Sequence, residues 1–172
     1  MFLQNLRARL GARLSGDSEA GFTLIELLVV MLILGILAAI ALPAFFNQRD
    51  KAGDSKAKEN AHSAQVAVET FATEKSGSYT GVNLTELHRI EPTISTTEGN
   101  ASANPPIEGI KVSSTAANKY TIESVSSTGN TFKIKNEAGT MTYTCTKQGT
   151  GGCPSSPNNA QNEETEGNWS KG

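Results

Sequence analysis

Few residues in this chain are placed to do chemistry. Glu26 is the one charge in the stretch 22–46. A carboxylate set among apolar side chains is costly in lipid and calls for a cationic partner, so its chemistry is ion pairing. Cys145 and Cys153 lie close together near the C-terminus, across Lys147-Gln148-Gly149-Thr150-Gly151-Gly152. That spacing suits one local disulfide, which requires an oxidising compartment. Zinc would need four ligands, and the two histidines, His62 and His88, stand far upstream without ligand spacing, so no metal is expected. His62 reads as a helix surface residue rather than a general base. No nucleophile elbow or phosphate loop is present, so neither an enzyme nor a cofactor is expected. Lys133 and Lys135, with Lys111 or Lys119, could form a small basic patch. The plainer reading is the wet face of a sheet, and nucleic acid is not an expected partner.

The elements that must position these residues share the apolar content unevenly. The chain has 172 residues, a formal net charge of −2 and 37% hydrophobic residues. Much of that content falls between positions 22 and 46, while the second half is rich in Ser, Thr, Asn and Gly. The soluble part therefore has a thin core and needs a long packed helix, a covalent staple or neighbouring subunits.

Arg7, Arg9 and Arg13 precede the apolar run, together with Asp17 and Glu19. Residues 22–46 are long enough to cross a bilayer as a helix, for which about 20 residues suffice. The arginines should stay cytoplasmic and send the C-terminal bulk across the membrane. A plain membrane anchor leaves Glu26 unexplained. A secretory signal peptide would use 27–38 as its apolar region and Ala39-Ile40-Ala41 as its cleavage site, but acidic residues crowd the place where it wants positive charge. Nothing else in the chain is apolar enough to bury such a helix inside a globule.

The string Gly21-Phe22-Thr23-Leu24-Ile25-Glu26-Leu27-Leu28-Val29-Val30 resembles the processing site and assembly helix of the type IV pilin family. The resemblance covers about the first 50 residues. It implies that a prepilin peptidase cuts between Gly21 and Phe22 and methylates the new N-terminus at Phe22. Glu26 then becomes the fifth residue of the mature chain. Gly35 and Pro43 fall where the family carries its helix-loosening glycine and proline. The family commonly staples its C-terminal loop, which favours a Cys145–Cys153 disulfide over free thiols.

Cleavage would create an α-amino group on Phe22, largely protonated near neutral pH. In lipid that ammonium and the Glu26 carboxylate are each other's obvious partner. Their spacing of four permits a pair within one helix, whereas the family reading pairs Glu26 with the amine of an adjacent subunit. A glutamate in a first helical turn also complements the helix dipole, an effect of at most ~1 kcal/mol at an exposed site. Pro43 removes one backbone hydrogen bond and Gly35 lowers local propensity, so 35–43 should be the weakest part of the helix.

Beyond Pro43 the helix should continue to about residue 75. Ala57, Ala61, Ala64, Val68, Phe71 and Ala72 follow a helical rhythm, with Lys56, Glu59, Asn60, Ser63, Thr70 and Glu74 opposite. Gly53 suggests a bend, and Ser76-Gly77 a C-terminal cap. Asn83-Leu84-Thr85-Glu86 reads as a capping box opening a short helix. Strand signals follow at 109–114, 119–126, 131–136 and 140–146, joined by tight-turn compositions into an antiparallel meander. The carboxylates are expected mostly on solvent faces. Most of the polar tail 154–172 reads as surface or disordered, with Trp169 able to dock back on the sheet or not.

The expected fold is therefore α+β, a long N-terminal helix with a transmembrane half and an amphipathic half, packed on a C-terminal meander. Its divisions are a leader 1–21, an assembly helix 22–50, a globular head 51–153 and the tail. The expected function is the major structural subunit of a type IV pilus, held in the cytoplasmic membrane before assembly and extracellular afterwards. Its partners would be copies of itself, the peptidase, the pilus assembly machinery and membrane lipid. The rivals are a pseudopilin of a type II secretion or competence machine and a secreted binding module released after Ala41. Adhesion, motility and DNA uptake share this scaffold and are not separated by it.

Overall fold

The computed structural model describes residues 21–147, 149–154 and 167–169. The arginine-bearing leader and the acidic residues Glu163, Glu164 and Glu166 of the tail lie outside the described residues. The chain divides into two compact units at the bond between Pro43 and Ala44.

One helix, α1 (Leu24–Glu74), passes through that division with Pro43 inside it. In the first unit it is apolar on every side and none of its membrane-length window is buried. In the second unit it becomes amphipathic. Ala57, Ala61, Ala64, Ala67, Val68, Phe71 and Ala72 are buried, while Lys56, Glu59 and Glu74 are exposed. The stripe is mostly alanine because a small side chain lets a sheet approach the helix axis closely. The helix ends at a left-handed turn, where the Gly77 amide, at φ 87°, donates to the Ala72 carbonyl at 2.7 Å. This is the glycine cap that Ser76-Gly77 predicts.

The short helix α2 (Leu84–Ile90) starts at Asn83, whose side chain accepts the Glu86 amide. Five strands follow in the order β1 (Gly109–Ala116), β2 (Lys119–Val125), β3 (Thr131–Glu137), β4 (Thr140–Cys145) and β5 (Gly167–Asn168). All neighbours pair antiparallel, so the first four form the expected meander. Its inner face carries Tyr120, Ile122, Phe132 and Ile134, which share one core with the alanine stripe. Hydrophobic burial at ~25 cal/mol per Å² makes these aromatic and branched residues the main gain of the head.

Two features go beyond the sequence reading. Part of the tail is structured: β5 adds to the edge of β4 through Thr144↔Asn168 and Cys145↔Gly167. Trp169 is only 5% exposed, and its Nε1–H donates to the Thr144 carbonyl at 2.8 Å. An indole offers a large apolar surface together with one donor, and here both are satisfied. Gly53 marks a close approach, with α1 running through it. A Cβ at that position would collide with Ser127 Oγ of the β2–β3 turn.

Candidate functional site

The N-terminal apolar surface is built by composition alone. Phe22 is 84% exposed, and Leu24, Ile25, Leu28, Leu32, Leu37, Ile40, Phe45 and Phe46 are all more than half exposed. Among the described residues no side chain buries them. Gly35 lies within this surface, where a Cβ would meet nothing within 4 Å. Gly21 and Phe22 precede the first helical turn and are equally open.

Glu26 is held locally. The Thr23 amide and hydroxyl both donate to its Oε2, at 2.9 and 2.7 Å, and the Glu26 amide donates to Thr23 Oγ1 at 3.3 Å. This is a reciprocal capping box, which satisfies amides that a helix start leaves orphaned. Reading Glu26 for ion pairing and the helix dipole missed this cap, although the Thr-x-x-Glu spacing carries its signal.

Cys145 and Cys153 are joined by a disulfide. The loop they close reaches a residue that reading for exposed carboxylates missed. Asp54 is fully buried. Its Oδ1 accepts from Ser126 Oγ at 2.5 Å and Thr128 Oγ1 at 2.7 Å, and its Oδ2 from Asn130 Nδ2 and the Gly152 amide, both at 2.7 Å. Four donors fill the acceptor sites of the two carboxylate oxygens. Asp54 precedes Ala57, Ala61 and Ala64 at helical spacing, so its place on the buried face was legible; its partners were not.

A second carboxylate clips the other end of the same helix face. Glu69 accepts from the Tyr120 hydroxyl at 2.8 Å and the Tyr79 hydroxyl at 2.9 Å, and Asn136 Nδ2 donates to Tyr79 at 3.3 Å. Burial, and then the neighbouring Glu69 carboxylate, push both phenols above the ordinary tyrosine range. Elsewhere the charges are surface pairs. Glu74 and then Glu86 raise Arg89 further, and Lys135 holds Glu137 below its ordinary value.

The remaining candidate groups stay apart. His62 packs against Trp169, with ring centres 5.1 Å apart, and His88 Nδ1 lies 2.7 Å from the Ile94 carbonyl. Among the described residues no three His, Cys, Asp or Glu side chains cluster as metal ligands. Lys133 pairs with Glu123 at 3.4 Å, Lys135 with Glu137 at 3.0 Å and Lys111 with Glu98 at 3.5 Å. Interleaved glutamates thus neutralise the lysine patch, and this face is the solvated side of the sheet.

The fold defines a class, an α+β head carried on a long N-terminal helix whose apolar surface no described residue buries. Residues 17–42 match the prokaryotic N-terminal methylation motif. The chain is 47% identical over 55 residues to the type IV major pilin protein PilA of Myxococcus xanthus, covering 32% of this chain and 25% of that one. It is 37% identical over 57 residues to the type II secretion system core protein G of Pectobacterium carotovorum, covering 33% and 36%. With the type IV major fimbrial protein FimA of Dichelobacter nodosus it shares 33% identity over 107 residues, covering 59% of this chain and 69% of that one. The first two matches thus span only about a quarter and a third of those relatives. No solved structure matches the chain. The chain belongs to the type IV pilin and pseudopilin family. These relatives are structural subunits and not enzymes.

Proposed function

We propose that the chain is made as a prepilin, cut between Gly21 and Phe22, N-methylated at Phe22, and assembled as the major subunit of a type IV pilus. The observation that carries this reading is the uncovered apolar surface from Phe22 to Phe46. A soluble monomer does not leave so large an apolar area in water. Lipid of the cytoplasmic membrane covers it before assembly, and the same helices of other copies cover it in the extracellular filament. Residues 1–21 are the leader recognised by the prepilin peptidase, 22–50 the assembly helix and 51–153 the head. Gly167 and Asn168 of the tail 154–172 add to the sheet edge at β4. The pilus assembly machinery extracts each subunit from the membrane. Within the helix, Gly35 and Pro43 are the places where hydrogen bonding is easiest to give up on assembly. Glu26 then exchanges its Thr23 cap for the amine of a neighbouring Phe22.

A pseudopilin is the second reading, and the similarity to the core protein G subunits supports it. The stapled loop favours the pilus, because an exposed filament gains most from a covalent tie. Release after Ala41 is disfavoured, since α1 runs through Ala41 and Leu42 without interruption. N-terminal sequencing of the mature protein, together with the composition of sheared surface filaments, tests the proposal. Methylated Phe22 in filaments made mainly of this chain is the expected result. A mature chain starting at Leu42 refutes it, and confinement to the envelope favours the pseudopilin.

A further inference from the structure

Asp54 is the first buried residue along α1, and nothing in the assembly reading uses it. Its four donors come from two other parts of the head. Ser126, Thr128 and Asn130 belong to the β2–β3 turn, whereas Gly152 belongs to the loop that the disulfide closes. The approach is tight on both sides. A Cβ on Gly152 would stand 2.9 Å from Asp54 Cβ, and one on Gly151, whose φ is 56°, would collide with Oδ2. Asn130 is committed to the same carboxylate, giving Asp54 its amide nitrogen while its own buried Oδ1 takes no hydrogen bond. Oδ1 and Oδ2 of Asp54 each receive two donors.

We propose that Asp54 is a redox-dependent latch: the long helix locks to the head at this end only when the Cys145–Cys153 disulfide holds the Gly152 amide against the carboxylate. Closing the bond removes two electrons and two protons from the thiol pair. They pass by thiol–disulfide exchange to a second disulfide, that of an oxidoreductase or of oxidised glutathione, which leaves as two thiols. With the thiols open, nothing covalent fixes Gly152 against β4, and the buried carboxylate loses a donor it cannot replace from water. An oxidised head is therefore clasped at both ends of the buried helix face, by Asp54 and by Glu69, and a reduced head at the Glu69 end alone. The Glu69 end contains no part of the loop.

The test uses the full-length mature chain in detergent, as wild type, Asp54→Asn, Cys145→Ser/Cys153→Ser and the three changes combined. An amide in place of the carboxylate sets donor against donor, so Asp54→Asn should lower the folding equilibrium constant of the oxidised protein about 100-fold. In the serine background the same change should cost less than about 10-fold, because the Gly152 contact is already lost. Equal losses in the two backgrounds overturn the proposal. A second measurement avoids any variant that fails to fold without the bond. Coupling is reciprocal, so Asp54→Asn should shift the oxidised protein's equilibrium with dithiothreitol toward the open thiols by about 10-fold. Hydrogen exchange at the Gly152 amide should accelerate on reduction of the wild type, while amides of β2 beside Glu69 stay protected. A dithiothreitol equilibrium unchanged by Asp54→Asn, or uniform loss of protection on reduction, refutes the latch.

Discussion

Thr23 and Glu26 cap each other across the first turn of α1, the hydroxyl donating to the carboxylate at 2.7 Å while accepting the Glu26 amide. The carboxylate thus has a partner before any second subunit arrives, and the assembly role and the capping role can be separated by mutation. Glu26→Ala should be processed and retained in the membrane but form no filaments as the sole copy. Thr23→Ala removes the cap, at a cost of about 1 kcal/mol, yet keeps the carboxylate and should assemble. Filament yield beside membrane levels of mature protein distinguishes them. Filaments from Glu26→Ala, or equal failure of both variants, would assign Glu26 to capping alone.

Processing should depend on the residue before the cut. A bulky side chain at Gly21 keeps the peptidase from fitting the backbone closely at the 21–22 bond. Gly21→Leu should accumulate as precursor with its arginine leader attached, visible as a mass difference from mature protein. Normal maturation of that variant would displace the assigned site.

The tyrosine pair at Glu69 predicts an alkaline limit to stability. Folding raises both phenol pKa values above the unfolded value of about 10, so the fold binds the phenolic protons more tightly than the unfolded chain. The contribution is complete below about pH 10 and is lost as pH rises beyond it. Denaturant midpoints measured from about pH 8 to about pH 11 should fall at the alkaline end. In Tyr120→Phe the decline should be shallower, from a lower starting midpoint. Identical alkaline slopes would mean that other groups set the limit.

The alanine stripe predicts intolerance of size rather than of polarity alone. Ala61 and Ala64 are wholly buried in the core shared with the sheet. Ala64→Leu should destabilise the head by about 1–3 kcal/mol through overpacking. The same exchange at Ala52, an exposed position of the same helix, should change little. Chemical denaturation of the two variants checks the contrast.

The sequence by itself determined the N-terminal half of this protein. A bilayer-length apolar run and one carboxylate within it are local patterns, and local patterns survive in one dimension. The meander was legible for the same reason, since period-two alternation and glycine-rich turns specify strands without reference to distant residues. The disulfide followed from two cysteines and a resemblance. Tertiary structure alone decided which carboxylates are solvated. Asp54 meets Gly152 across 98 positions of chain, and Glu69 meets Tyr120 across 51, and no window along the chain contains both partners. Trp169 was undecided for a similar reason. Its docking depends on an open edge at β4, a ring contact from His62 on α1 and the Thr144 carbonyl as acceptor for the indole N–H. A buried polar group is stable only when every partner arrives together, and that condition is met in three dimensions.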